Sequence, residues 1–328
     1  MKKHILQGVF LLIAGLSATA VFAGGKAEKV PENKLAVAVT FDAIKELTAI
    51  VGGDKVYIRT IIPSGVEAHD FEPKAGDLRF LNQAQVLVYN GFGMEHWIDE
   101  AVQAVNRKDL ITVFAGKGIE PLELDEDHHH HHHHHGHSHG HEGHHHDEEC
   151  DGSCGEHHGG VDPHIWLSLE SAKIMTANIA KGLSTADPAN AALYQNNAER
   201  FASEADALLT TYRRKFAPLP KKHFVTGHAA FGYLCRDLGL EQNSVEDVFS
   251  AGEPSAKQLT KLVDYCNRHG ITTVFSETMA SPQVSATLAK EVGASVEVIY
   301  TIESAEDGLS YMDRMNANIE KIYNSLLR

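Results

Sequence analysis

Residues 187–216 constrain the fold more than any other part of the chain, because their pattern predicts one long amphipathic helix. Apolar residues recur there at alternating steps of four and three, which places them on one helical face: Tyr194, Ala198, Phe201, Ala205, Leu208, Tyr212 and Phe216. Asp187 followed by Pro188 is typical of a helix start, whereas Pro218 and Pro220 end the helix. A helix of this length would be roughly 40 Å long. That favours a connection between two domains, with a surface helix inside one domain as the alternative.

Short apolar segments alternate with amphipathic segments on both sides of this helix. Before it, strands are predicted at residues 35–41, 56–62, 86–89 and 110–114, and helices at residues 42–51, 75–84 and 94–105. After it, strands are predicted at residues 224–226, 242–245, 272–275 and 295–300, and helices at residues 231–238, 255–268, 282–291 and 306–327. This alternation predicts an α/β fold in which each half has a parallel sheet covered by helices.

The first 23 residues predict export from the cytoplasm. Lys2 and Lys3 precede an apolar run at residues 9–16, and small residues continue to Ala23, which is the order found in a signal peptide. We expect cleavage after Ala23 and a soluble periplasmic protein. The predicted division is a signal peptide (1–23), an N-terminal α/β lobe (24–186), a linker helix (187–217) and a C-terminal α/β lobe (218–328).

Charge and cysteine content narrow the classes of partner. The chain has 29 basic and 44 acidic residues, a formal net charge of −15, and no run rich in Lys or Arg. Nucleic acid is therefore not expected as a partner, because its binding depends mainly on neutralising phosphates. Cys150 and Cys154 lie in a polar segment, whereas Cys235 and Cys266 lie in apolar helical segments. A disulfide between the latter two is possible in an oxidising compartment, but spacing does not establish it.

Histidine is the strongest chemical signal in the sequence. Of 23 histidines, 16 lie between His128 and His158, among Gly, Asp, Glu and two cysteines. Residues 125–160 offer few apolar side chains for a core, so they predict a disordered loop. Imidazole and thiolate at this density favour zinc, copper or nickel over calcium or magnesium. An expression tag is the alternative, but the run is interior, interrupted and mixed with acidic residues.

Three other histidines lie where the chain leaves a strand or enters a helix, which is where ligands bind in open α/β sheets. They are His69, His164 and His228. Three neutral imidazoles with a carboxylate or a water as the fourth ligand suit zinc. Glu277 is the candidate carboxylate, because it follows the strand predicted at residues 272–275.

The acidic neighbours of His69 are candidates for a supporting role. Asp70 and Glu72 could accept the second imidazole proton and so fix which ring nitrogen binds the metal. The remaining histidines of the mature chain, His96, His223 and His269, lack a comparable setting. We expect them to be structural.

Four segments together resemble a known family. They are His-Asp-Phe-Glu-Pro at residues 69–73, Asp-Pro-His-Ile-Trp-Leu-Ser at 162–168, Gly-His-Ala-Ala-Phe-Gly-Tyr at 227–233, and Ser276-Glu277. In this order they resemble the cluster A-I metal-binding proteins of ABC uptake systems, and most closely the zinc-specific, ZnuA-like branch. The resemblance implies two (β/α)4 lobes joined by one long rigid helix, with metal held in the cleft between them and delivered to a membrane permease.

The same resemblance implies roles for individual residues. It makes His69, His164 and His228 metal ligands, and it associates the His-rich segment with the zinc branch. Manganese-type relatives carry a carboxylate at the position of His228 and an aspartate near Glu277, so histidine favours zinc. Some zinc members have an acidic residue just before the first histidine, where this chain has Ala68. The fourth ligand is therefore either Glu277 or water.

We expect a monomeric carrier that binds Zn2+ as cargo and delivers it to the permease of a zinc ABC transporter. The alternatives are a manganese or other divalent-metal carrier of the same family, a zinc reservoir or surface adhesin, and an exported zinc hydrolase. The hydrolase is disfavoured because no predicted helix carries a His-Glu-x-x-His motif. We do not expect an enzyme.

Overall fold

A computed structural model describes most of the chain between residues 30 and 328. The described ranges are 30–124, 160–246, 255–277, 282–305 and 307–328. The predicted signal peptide, and the predicted disordered loop apart from residue 160, lie outside the described residues. Within the described ranges, no helix combines the length and the apolar character needed to cross a membrane.

The first half contains a parallel four-stranded sheet in the order β2-β1-β3-β4. Its strands are β1 (Leu35–Val39), β2 (Val56–Thr60), β3 (Val86–Tyr89) and β4 (Ile111–Phe114). Its helices are α1 (Asp42–Gly52), α2 (Ile98–Val105) and α3 (Leu169–Ala186). β1 is central, pairing Val37 with both Ile58 and Val86, and all five of its residues are buried. Burial on both faces explains why this strand is a continuous apolar run.

The second half repeats the arrangement, with a parallel sheet in the order β6-β5-β7-β8. Its strands are β5 (His223–Thr226), β6 (Glu241–Ser244), β7 (Thr273–Ser276) and β8 (Ser295–Val298). Its helices are α5 (Gly232–Leu238), α6 (Ala256–His269), α7 (Pro282–Val292) and α8 (Tyr311–Leu326). The predicted α/β fold class, with two parallel four-stranded sheets, is confirmed.

The long helix between the two sheets is α4 (Ala191–Phe216), and a 3₁₀ turn at Pro188–Asn190 leads into it. Its buried face follows the predicted positions, except that Leu209 is buried while Leu208 is only partly covered. α4 packs against α3 and α1 of the first half and against α5 and α8 of the second. It therefore contributes to a hydrophobic core that is continuous across both halves.

Two elements differ from the sequence-based expectations. The helix predicted at residues 75–84 is reduced to a 3₁₀ turn at Asp77–Arg79. There the Asp77 carboxylate accepts the backbone N–H of Lys74, and Gly76 weakens helix propensity, so local turns replace the helix. Helix α3 is not among the helices predicted from the sequence, although Ser168 caps it by accepting the backbone N–H of Ser171.

α3 approaches the first sheet closely at one glycine. A Cβ atom on Gly182 would lie 2.2 Å from Cγ2 of Val113 in β4, so a larger residue would push the helix off the strand.

In the second half, Cys235 on α5 and Cys266 on α6 are separate, buried, free thiols. The disulfide considered from the sequence is not formed.

Candidate metal centre

The side chains that group together come from loops at the carboxyl ends of strands in both sheets. His69 lies in the irregular segment after β2, and His164 lies just before α3. His228 follows β5, and Glu303 follows β8. Ligand sites form at this edge of parallel sheets, and here the edges of the two sheets face one another.

Three imidazoles meet through their Nε2 atoms. Nε2 of His164 is 3.1 Å from Nε2 of His69 and 3.2 Å from Nε2 of His228. One carboxylate oxygen of Glu303 joins them, and the four ligand atoms lie within 4.8 Å of one another. Ligand atoms bound to zinc at about 2.0–2.1 Å in a tetrahedron are roughly 3.3 Å apart. The two measured separations are close to that edge length.

His164 is oriented by a buried aspartate. Oδ1 of Asp162 accepts the backbone N–H of His164 at 2.9 Å and lies 2.8 Å from its Nδ1. Burial and the nearby His69 lower the pKa of His164 well below its ordinary value, so the ring is neutral. Burial also raises the pKa of Asp162 to about 7. A neutral ring that donates its Nδ1 proton to Asp162 has its Nε2 lone pair free for a metal.

His228 is also neutral, because burial and the two neighbouring imidazoles lower its pKa well below the ordinary value. Its loop is held by Glu277, whose Oε1 accepts the backbone N–H groups of Gly227 at 3.1 Å and His228 at 3.3 Å. Nδ1 of His228 lies 3.8 Å from the same oxygen, beyond hydrogen-bond length. Burial raises the pKa of Glu277 to about 8.

Glu277, the carboxylate that the sequence suggests as the fourth ligand, is not among the atoms that lie within 4.8 Å of one another, whereas an oxygen of Glu303 is. Glu277 directly follows β7 and turns toward the backbone at the end of the adjacent β5. Glu303 lies five residues beyond the end of the edge strand β8, and its longer connection reaches the histidines. The sequence offers several carboxylates that follow strands and does not distinguish among them.

The acidic neighbours of His69 and the histidines predicted to be structural lie outside this group of four side chains. Glu72 is exposed and pairs with exposed His96 through an Oε1–Nε2 distance of 2.9 Å, and Asp70 is exposed. The rings of His223 and His269 lie against each other, tilted by 45°, with their centroids 3.8 Å apart. His223 is the first residue of β5, so this pair lies at the end of the strand opposite to the loop that carries His228.

Comparison with known proteins identifies the family. The family model described as "Zinc-uptake complex component A periplasmic", ZnuA, matches residues 37–325. The chain belongs to the ZnuA family. The resemblance found in the sequence motifs is thereby confirmed, and the family is a metal-binding component of a transport system.

Relatives within and around the ZnuA family cover nearly the whole chain. A putative metal-binding protein of Treponema pallidum is 45% identical over 291 residues, or 89% of this chain and 87% of that protein. The high-affinity zinc uptake system protein ZnuA of Bacillus subtilis is 34% identical over 330 residues, covering 98% and 96%. A Zn(II)-bound variant of AdcAII from Streptococcus pneumoniae superposes with a TM-score of 0.75 at 25% identity, covering 90% and 100%. Zinc is thus the metal named for the Bacillus subtilis protein and the metal bound to the AdcAII variant.

Proposed function

We propose that this ZnuA-family chain is the extracytoplasmic zinc-binding component of an ABC uptake system. In this proposal, His69, His164, His228 and Glu303 bind one Zn2+ ion as cargo. The observation that carries the proposal is the meeting of three Nε2 atoms beside a carboxylate, at separations close to a tetrahedral edge.

The donor set favours zinc over manganese. Three imidazole nitrogens and one carboxylate suit zinc, whereas manganese prefers sites richer in oxygen ligands. Neutral imidazoles also bind without first losing a proton, and burial keeps His164 and His228 neutral by lowering the pKa of each. A manganese carrier of the same family is therefore the weaker alternative.

A transport role also fits the donor set better than hydrolysis does. Catalytic zinc keeps a position open for water, whereas four protein ligands close the tetrahedron. Three of the four proposed ligands are buried: His164 is fully covered, and His228 and Glu303 are at most 5% exposed. We therefore propose a carrier and not an enzyme.

The remaining features of the carrier are proposals supported by the sequence. They are cleavage after Ala23, a monomeric periplasmic protein, and delivery of zinc to a membrane permease. We keep the proposed division into lobes at residues 24–186 and 218–328, joined by residues 187–217. Contacts of α4 with helices on both sides support that role for the linker.

We propose that the His-rich segment between His128 and His158 captures zinc at weaker sites and raises its supply near the four-ligand site. Its density of imidazoles provides many ligands that suit zinc. A protein that lacks this segment should retain one tight zinc site in a competition titration with a chromogenic chelator. Loss of the tight site together with the segment would contradict the assignment of the four ligands.

A pair of isosteric substitutions tests the ligand assignment itself. In the shortened protein, Glu303→Gln should weaken zinc binding by at least about tenfold, because it removes the charged ligand. Glu277→Gln removes a buried carboxylate that holds the His228 loop without being a proposed ligand, so its effect should be smaller. If Glu277→Gln weakened binding more than Glu303→Gln, the fourth ligand would be wrongly assigned.

Metal analysis of the protein as isolated should find zinc in excess over manganese.

A further inference from the structure

The segment that carries Glu303 has an unusual backbone. Ile302 has a φ of 59°, although it is β-branched and fully buried. A β-branched residue in the left-handed region is strained and persists only where its surroundings hold it there. The residue directly before a proposed metal ligand therefore has its conformation imposed by tertiary contacts.

Those contacts come from the other half of the molecule. Nε1 of Trp166 donates to the carbonyl oxygen of Thr301 at 2.7 Å, and the backbone N–H of Asp42 donates to the carbonyl oxygen of Glu303 at 3.3 Å. The backbone N–H of Gly65 donates to Oγ of Ser304 at 2.5 Å. Thr301, Ile302, Glu303 and Ser304 are each at most 5% exposed. We call residues 301–304 the strap.

Two of the donors belong to the same loops as the histidines. Trp166 is two residues after His164, and Gly65 is four residues before His69. The second half also fixes Tyr300, the residue just before the strap. Oδ1 of Asn318 on α8 accepts the backbone N–H of Tyr300 at 2.9 Å, and Nδ2 of Asn318 donates to its carbonyl oxygen at 2.7 Å. The strap is thus fixed at one end to its own half and along its length to the loops that present the imidazoles.

We propose that the strap positions the Glu303 carboxylate, and that the Ser304 hydroxyl is a positioning residue for zinc binding although it does not touch the metal. This inference rests on the proposed zinc site. Of the cross-half hydrogen bonds along the strap, those at Ser304 are made by a strap side chain: its Oγ accepts the backbone N–H of Gly65 and lies 3.2 Å from Oγ of Ser64. A substitution of Ser304 can therefore remove both hydrogen bonds without changing the backbone or a core aromatic.

The experiment is a double-mutant cycle in the protein that lacks residues 128–158. Ser304→Ala removes two hydrogen bonds and should weaken zinc binding at least about fivefold, the value of one ordinary hydrogen bond. Combined with Glu303→Gln it should weaken binding by less than about twofold further, because the carboxylate that it positions is gone. Ser304→Thr keeps the hydroxyl and should restore most of the affinity. Ser325→Ala is the matched control: it removes a buried hydroxyl, hydrogen-bonded to Ile322, at the far end of α8.

Co2+ gives a second readout that general destabilisation would not produce. Its visible absorption reports the ligands, so Ser304→Ala should move the spectrum toward that of Glu303→Gln, and Ser325→Ala should leave it unchanged. An equal loss of affinity from Ser304→Ala with and without Glu303→Gln would overturn the inference, as would unchanged affinity and spectrum. If Glu303→Gln alone bound zinc as tightly as the parent, the proposed site itself would fail, which is a different result.

Discussion

The contact between Asp162 and His164 gives a prediction whose size follows from the structure. Asp162→Ala removes the acceptor of two hydrogen bonds, one from Nδ1 of His164 at 2.8 Å and one from its backbone N–H at 2.9 Å. The imidazole is fully buried, so water cannot replace the carboxylate without rearrangement. Loss of such an outer partner of a metal-binding histidine costs about 10- to 100-fold in affinity, or about 1.4–2.7 kcal/mol.

The conservative variant should fall between the parent and Asp162→Ala. Asp162→Asn keeps an oxygen that can accept the Nδ1 proton, but it loses the charge that raises the basicity of the ring. We therefore expect the order of zinc affinity to be parent, then Asp162→Asn, then Asp162→Ala. The assay is competition with a chromogenic chelator, using the protein that lacks residues 128–158 so that weaker sites do not contribute.

Asp237→Asn provides the matched control. Asp237, on α5, is also a buried aspartate, and its side chain contacts the start of α3. Its Oδ2 accepts a hydrogen bond from the hydroxyl of Ser168 at 2.7 Å and from the backbone N–H of Glu170 at 3.2 Å. It should lower thermal stability with and without zinc while changing zinc affinity by less than about threefold. Equal losses of affinity in the control and in Asp162→Ala would show a general effect on folding and refute the specific role of Asp162.

Three further predictions concern the rest of the fold. Leu209→Ala should lower the free energy of unfolding by about 2–5 kcal/mol and Leu208→Ala by less than half as much, since only Leu209 is fully buried; equal losses in urea unfolding would contradict the observed face of α4. Burial raises the pKa of Cys266 to about 11 and raises that of Cys235 still further, so in a variant without the two other cysteines both thiols should resist a thiol reagent at about pH 8 until the protein unfolds. Burial also raises the pKa of Glu95, so the folded protein binds the proton of this carboxyl more tightly than the unfolded chain does. The stability that this proton contributes is present at low pH and is lost as the pH rises through the pKa of Glu95 in the folded protein. Glu95→Gln removes this titration, and its stability relative to the parent should increase between about pH 5 and about pH 8; a constant difference would contradict the assignment.

Local periodicity accounted for most of the secondary structure. β1 is a short apolar run because both of its faces are buried, and the buried face of α4 is visible in the sequence as steps of four and three. Periodicity failed where side chains compete with the helix, as at Asp77. It also predicted Leu208 in place of Leu209 on the buried face of α4. The two leucines are adjacent, and the packing of neighbouring helices determines which of them is buried.

Residue type and spacing along the chain were enough to predict the α/β alternation, the long helix and the three imidazoles that follow strands or precede a helix. Which carboxylate lies beside those imidazoles depends on long-range packing. Glu277 and Glu303 both follow strands, but Glu277 is held by the amides beside β5, whereas the strap directs Glu303 toward the histidines. That choice depends on the order of strands in the second sheet and on a left-handed backbone at Ile302. Both arise from contacts between distant parts of the chain, which local sequence does not encode.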